Sequence, residues 1–323
     1  MSQSVYALFF SGMLLSASAS ASASASIANP NTVRIGYQKG GSLVLLKSSG
    51  ELEKVLKNKG INVEWREFSV GPPLVEALNA GALDIGFVGA PPPVFAQAGA
   101  APDLVYVGYG QPMGKGYGIV VKDSSTISSF EQLKSRKIGV AKGSAGELFL
   151  LQALEKYHLR REDVRVIYLG YSEGRAAWER GDIDAWAVPD PRFSEVELNS
   201  NGRAIITAAD VPAQYNFYVS PTKFAHAYPA VLTTVLNTLN KTELKVSKDP
   251  AAAAKILSSD TRLPEAIWKK SLERQSWGVG WPLSHEVIES QQKVADLFYR
   301  YHMIPKAVQV QKIAVDLPVS LNQ

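Results

Sequence analysis

Four small residues, Gly143, Ser144, Ala145 and Gly146, stand between an alternating segment, KIGVAK from Lys137, and an apolar-periodic run that ends at Lys156. Small residues where a helix begins leave backbone N–H groups bare at the positive end of the helix dipole, an arrangement that holds an anion. The same residues read as a helix cap, because Ser144-x-x-Glu147 has capping-box spacing. The two readings are compatible: Ser144 can cap while the Ala145 and Gly146 N–H groups stay open. Gln38, just past the segment TVRIGY, carries a donor and an acceptor suited to an oxyanion or a polar tail. Gly89 and Ala90 end LDIGFVG, where small side chains let a ligand approach the backbone. Asp190 ends a matching segment, IDAWAV, and there a carboxylate is expected to orient donors or to meet an amine. Tyr215 and Asn216 open QYNFYVSP, placed either to reach a ligand or to act as a hinge.

Much chemistry is excluded. Cysteine is absent, which removes thiolate metal sites, disulfides and thiol nucleophiles. The four histidines are dispersed with no metal-ligand spacing. Neither a G-x-S-x-G elbow nor a phosphate-binding P-loop motif is present. Asp84 and Asp184 invite reading as an acid–base pair, but both precede a short apolar strand at a helix-to-strand turn, which argues for structural capping. No enzyme, cofactor or metal is therefore expected. The net charge of +4, without a basic run, points away from nucleic acid and mildly toward small anions.

The elements that must position these residues are written twice. Ala77 to Pro91 (ALNAGALDIGFVGAP) lies over Ala177 to Pro191 (AWERGDIDAWAVPDP), an offset of 100 residues that superposes Gly81, Asp84, Val88 and Pro91 on Gly181, Asp184, Val188 and Pro191. Upstream, RIGYQKGG from Arg34 lies over KIGVAKGS from Lys137. Each half reads strand, helix, strand, helix, strand, the βαβαβ unit of a parallel sheet covered by helices, whose ligands sit at the carboxyl ends of the strands. LVYVGYG, GYGIVVKDS and QYNFYVSP read as further strands, and the chain from Tyr228 onward is helical. With 323 residues, two lobes are expected: 30–114 with 218–323 as lobe one and 115–217 as lobe two, joined more than once around a cleft. Residues 1–26 combine a short apolar core with a Ser-Ala tract of small-x-small sites, the pattern of a signal peptide rather than a membrane anchor, although no basic residue precedes the apolar core.

RIGYQKG, the segment from Ala77 to Gly99, DLVYVG, the KGS turn, GDIDAWAVPDP and ADLFYRYHMIPK occur in an order, from about Val33 to about Val310, that resembles the aliphatic sulfonate-binding proteins of bacterial ABC importers. The resemblance implies an α/β type II periplasmic binding-protein fold: two βαβ-based lobes with a ligand cleft between them and C-terminal helices packed on lobe one. It also implies a periplasmic, monomeric protein that delivers a small organic anion, an alkanesulfonate above all, to an ABC importer permease for sulfur uptake. Taurine, nitrate and other organic anions are the alternative ligands. A cytoplasmic pyrimidine-precursor synthase is the alternative of another class, and the signal peptide and missing cysteine argue against it. In relatives the small-residue turn faces the sulfonate. Here it departs from the serine- and histidine-containing version, so hydroxyl donors and a cation are missing, and Glu147 either meets the ligand or only caps the helix. Pro189 stands where relatives often have tryptophan, which puts an aromatic wall in doubt.

Overall fold

The computed structural model describes residues 29–99, 103–112 and 114–317. The expected signal peptide lies outside the described residues. The first unit runs β1 (Thr32–Tyr37), α1 (Ser42–Ser49), α2 (Glu51–Lys57), β2 (Asn62–Glu67), α3 (Gly71–Asn79), β3 (Ile85–Gly89) and α4 (Pro91–Ala98). After β4 (Val105–Gly110) the chain crosses to the second unit: β5 (Tyr117–Lys122), β6 (Lys137–Val140), α5 (Ala145–Lys156), β7 (Arg165–Tyr168), α6 (Tyr171–Arg180), β8 (Ala185–Pro189), α7 (Arg192–Asn199) and β9 (Gly202–Thr207). It returns through β10 (Asn216–Ser220) to α8 (Thr222–Ala227), α9 (Pro229–Lys248), α10 (Pro250–Thr261), α11 (Glu265–Glu273), β11 (Val279–Gly280) and α12 (His285–Arg300).

Two sheets result, ordered β11-β4-β10-β3-β1-β2 and β7-β6-β8-β5-β9. The repeated units supply the parallel parts, β2-β1-β3 and β7-β6-β8, and antiparallel strands complete each sheet, so both are mixed rather than parallel throughout. Because β10 pairs with β3 and β4 from Asn216 onward, the return to the first sheet begins at Asn216 and not at 218. Strand β9, GRAIIT, has no counterpart in the pattern read from the sequence, since it is short and partly exposed and pairs only with β5.

The repeat has a packing cause. A Cβ on Gly36 would lie 2.6 Å from Leu83 Cδ1, and one on Gly139 would lie 2.6 Å from Ile183 Cδ1. At both places only glycine lets the residue before the third strand press onto the first. One residue later the match continues: Asp84 accepts the Arg34 N–H and Asp184 the Lys137 N–H, each at 2.7 Å. These carboxylates pin the first strand to the third and do no acid–base work.

The C-terminal helices cover lobe one, where Phe95 of α4 stacks edge-on with Phe298 of α12 and Gln291 donates to the Ala90 carbonyl. They also reach lobe two. Arg274, just past α11, pairs with Glu197 of α7, and Arg300 of α12 pairs with Glu155 of α5 at 2.7 Å. Apolar packing is continuous across the lobes, with Val88 and Val94 in the same cluster as Leu148 and Phe149. Each fully buried Leu or Phe contributes about 1.5–3 kcal/mol, so this shared cluster ties the two lobes together where they adjoin.

Candidate functional site

A cavity of about 60 Å³ lies between the carboxyl ends of the strands of the two sheets. Lobe one brings the turn after β1 and the start of α1, with Gln38, Gly40 and Gly41, and the end of β3 at Gly89. Lobe two brings Ser144 and Ala145 at the start of α5, together with Asp190 and Arg192. The volume has room for about four to six waters at about 10–15 Å³ each, the scale of an oxyanion head on a short chain. Two helix starts, of α1 and of α5, meet there from opposite lobes.

Contact across the cleft is close. A Cβ on Gly89 would stand 2.8 Å from the Ala145 Cβ, and one on Gly40 would stand 2.6 Å from the Asp190 carbonyl oxygen. Glycine at both positions lets the lobes approach.

The turn before α5 is built as a cap. Ser144 Oγ donates to the Ala141 carbonyl at 2.6 Å and accepts the Glu147 N–H at 3.3 Å. Its proton is therefore engaged as part of a cap. Glu147 reaches back and accepts the Gly143 N–H at 2.6 Å through Oε2, while Tyr168 Oη donates to Oε1 at 2.6 Å. Burial pushes the Glu147 carboxyl upward and these two donors oppose the shift. Gly143, at φ +67°, supplies the left-handed turn that the geometry needs. What remains open at the helix start, among the described residues, is the Ala145 and Gly146 N–H pair, which no backbone or side-chain group accepts.

Of the residues singled out from sequence, Gln38, Gly89, Ser144, Ala145, Asp190 and Asn216 line the cavity. Gln38 donates from Nε2 to the Phe87 carbonyl at 3.2 Å, which holds its amide along the wall. Asn216 is buried, and its side chain takes no partner among the described residues. The other five lie elsewhere. Ala90 is turned under α4, where its carbonyl receives Gln291. Gly143 and Glu147 are spent on each other, and Gly146 backs onto the Ala187 carbonyl. Tyr215 stacks edge-on with Tyr109 at 5.8 Å and points its hydroxyl at Glu286 of α12, so it belongs to the region joining the lobes.

Asp190 lines the cavity, but its carboxylate is held by lobe two. Oδ1 accepts the Ser194 N–H at 2.9 Å and the Ser194 hydroxyl at 2.6 Å, and Oδ2 lies 3.7 Å from Arg274 Nη1. Burial pushes this carboxyl up to about 6, against the pull of the Ser194 bonds and the Arg274 charge.

Arg192, Tyr117 and Tyr171 were not picked out from sequence. The Arg192 guanidinium lies 4.4 Å from the Tyr171 ring centroid. It makes no ion pair or hydrogen bond with any described residue, and burial draws it down from its ordinary range. Its acidic neighbours are engaged elsewhere, Glu195 with Arg175 and Glu67 with Lys39. The unpaired cation at the cavity wall thus comes from α7 and not from α5. Pro189 lines the cavity, and Tyr117, its partner in the β5–β8 register, gives the cavity an aromatic wall together with Tyr171. The only sequence signal for Arg192 was its place just after Asp190-Pro191 at a strand end.

Residues 27–258 match the NMT1-like family. The chain is similar to the alkanesulfonate-binding protein SsuA from Xanthomonas axonopodis pv. citri, solved bound to MOPS, at 36% identity over 90% of this chain and 99% of that one, with a TM-score of 0.84. It is also similar to the periplasmic aliphatic sulphonate binding protein SsuA from Escherichia coli, at 33% identity over 91% and 95% of the two chains and a TM-score of 0.82. The taurine-binding periplasmic protein of Escherichia coli K12 is 30% identical over 54% of this chain and 55% of its own length. The fold and cleft define a two-lobed solute-binding protein. The chain belongs to the family of sulfonate- and taurine-binding periplasmic proteins of ABC importers, a family of extracytoplasmic transport proteins and not of enzymes.

Proposed function

We propose that the chain captures a small aliphatic sulfonate in this cavity and presents its closed form to the permease of an ABC importer, as a monomer exported by its N-terminal signal peptide. The observation that carries the reading is the convergence of helix starts from both lobes on a single small cavity between them. Sulfonate oxygens would be met by the Ala145 N–H from lobe two and by the Gly41 turn from lobe one, with Gln38 and Asn216 as amide donors. In this reading lobe one comprises 30–114 with the chain from Asn216 onward, and lobe two the stretch between.

Contacts from both lobes exist only when the cleft is shut, so the ligand shifts the population toward the closed shape by the free energy of those extra contacts. The alkanesulfonates bound by the relatives extend to this chain on that geometry. Taurine is the less favoured ligand, because the Asp190 carboxylate that would receive its amine is already held by Ser194 and Arg274.

Calorimetric titration of the mature protein, unfolded and refolded to strip carried-over ligand, tests the reading with ethanesulfonate, propanesulfonate, taurine, nitrate and sulfate. Alkanesulfonates are expected to bind and an Ala145→Asp variant to lose them. Binding of nitrate or taurine alone would replace the ligand class.

A further inference from the structure

Arg192 is the one cavity-lining charge without a partner among the described residues, and the sulfonate alone does not account for it. Helix starts carry partial positive charge, so those that line the cavity, the starts of α1 and α5 among them, already answer the negative charge of one anion. Asp190 is matched by Arg274, and Lys39 by Glu67 at 3.6 Å. That leaves the full charge of the Arg192 guanidinium unanswered in a largely buried site, a condition that folding penalises unless a counter-charge arrives. Arg192 is also fixed in position: it is the first residue of α7, and its guanidinium rests on the face of Tyr171. Guanidinium, ring and the start of α5 at Ser144 and Ala145 line the same cavity.

We infer that Arg192 is a specificity-determining residue that binds a second anionic group on the ligand, and that the preferred ligand class is a short sulfonate bearing a carboxylate. A guanidinium presents paired N–H donors that match a carboxylate in bidentate fashion, and the small cavity limits the chain between the two acid groups to one or two carbons. The inference rests on the sulfonate-binding reading above.

The test is calorimetric titration of the refolded protein with sulfoacetate and with propanesulfonate, which are near in size and differ by one charge. Sulfoacetate is expected to bind at least about tenfold more tightly. In Arg192→Gln, checked for folding by thermal unfolding, that preference should vanish because sulfoacetate loses more affinity than propanesulfonate does; Arg192→Lys should keep part of the preference. Equal binding of the two ligands by the unaltered protein would overturn the inference and leave the sulfonate reading intact, and needs no variant. Equal losses for both ligands in Arg192→Gln would also overturn it, by assigning the guanidinium to the sulfonate itself. Failure of every sulfonate to bind would remove the functional reading as well.

Discussion

Gly89 at the end of β3 and Ala145 at the start of α5 face each other across the cleft so closely that a Cβ on Gly89 would lie 2.8 Å from the Ala145 Cβ. The pair fixes how far the lobes can shut over a ligand. In Gly89→Leu the added side chain should hold the cleft apart, since packed surfaces do not compress. Ligand affinity is expected to fall by at least about tenfold, with a ligand-free Tm within a few degrees of the parent, because the wedge acts only on the closed form. Unchanged affinity by titration would show that closure does not bring these residues together.

Glu147 spans the turn before α5, accepting from Gly143 and from Tyr168 at 2.6 Å each. Glu147→Ala strands the buried Gly143 N–H, a loss of about 1–3 kcal/mol. Chemical denaturation should show this drop, with Glu147→Gln recovering part of it because an amide oxygen can still accept. Sulfonate affinity should change little in Glu147→Gln. A large gain in affinity there would mean that the carboxylate faces the ligand.

Asp190 makes stability depend on pH. Its carboxyl is raised by burial to about 6 in the folded chain, against about 3.9 when unfolded. Between those values the folded state holds more protons, so stability is greatest below about pH 4 and falls as pH rises toward 6, by about 2–3 kcal/mol in all. Subtracting the Asp190→Asn profile from that of the parent isolates this contribution. Thermal unfolding from pH 4 to pH 7 should show a parent profile that declines relative to the variant across that window. A difference that rises with pH would mean that Arg274 and Ser194 outweigh burial.

What was legible in the sequence is what short-range chemistry encodes. The repeat was visible because Gly36 and Leu83 in one lobe, and Gly139 and Ile183 in the other, must be that small and that bulky for strand and turn to meet. The strand ends were visible from apolar runs that stop at small residues, and those ends line the cavity at Gly89 and Pro189. The capping of α5 was readable as Ser144-x-x-Glu147, although Glu147 reaches the Gly143 N–H, one residue beyond the capping-box position. Arg192 was not legible, because its significance is the absence of a partner in space. Glu195 lies three residues away on the same helix and would have been taken as its mate, yet it pairs with Arg175 at 2.9 Å. Tyr215 stayed open between ligand and hinge for a similar reason: its strand returns toward the cleft, but its side chain points toward Glu286 of α12.

The central claim is that one anion is held between the lobes at the starts of α1 and α5. It is tested most directly by a crystal structure of the refolded protein with 2-bromoethanesulfonate, using anomalous scattering from bromine and sulfur. The account predicts a single sulfur site within hydrogen-bonding reach of the Ala145 N–H and the Gly41 turn, with both lobes in contact. A sulfonate found on one lobe alone, or outside this cleft, would contradict it.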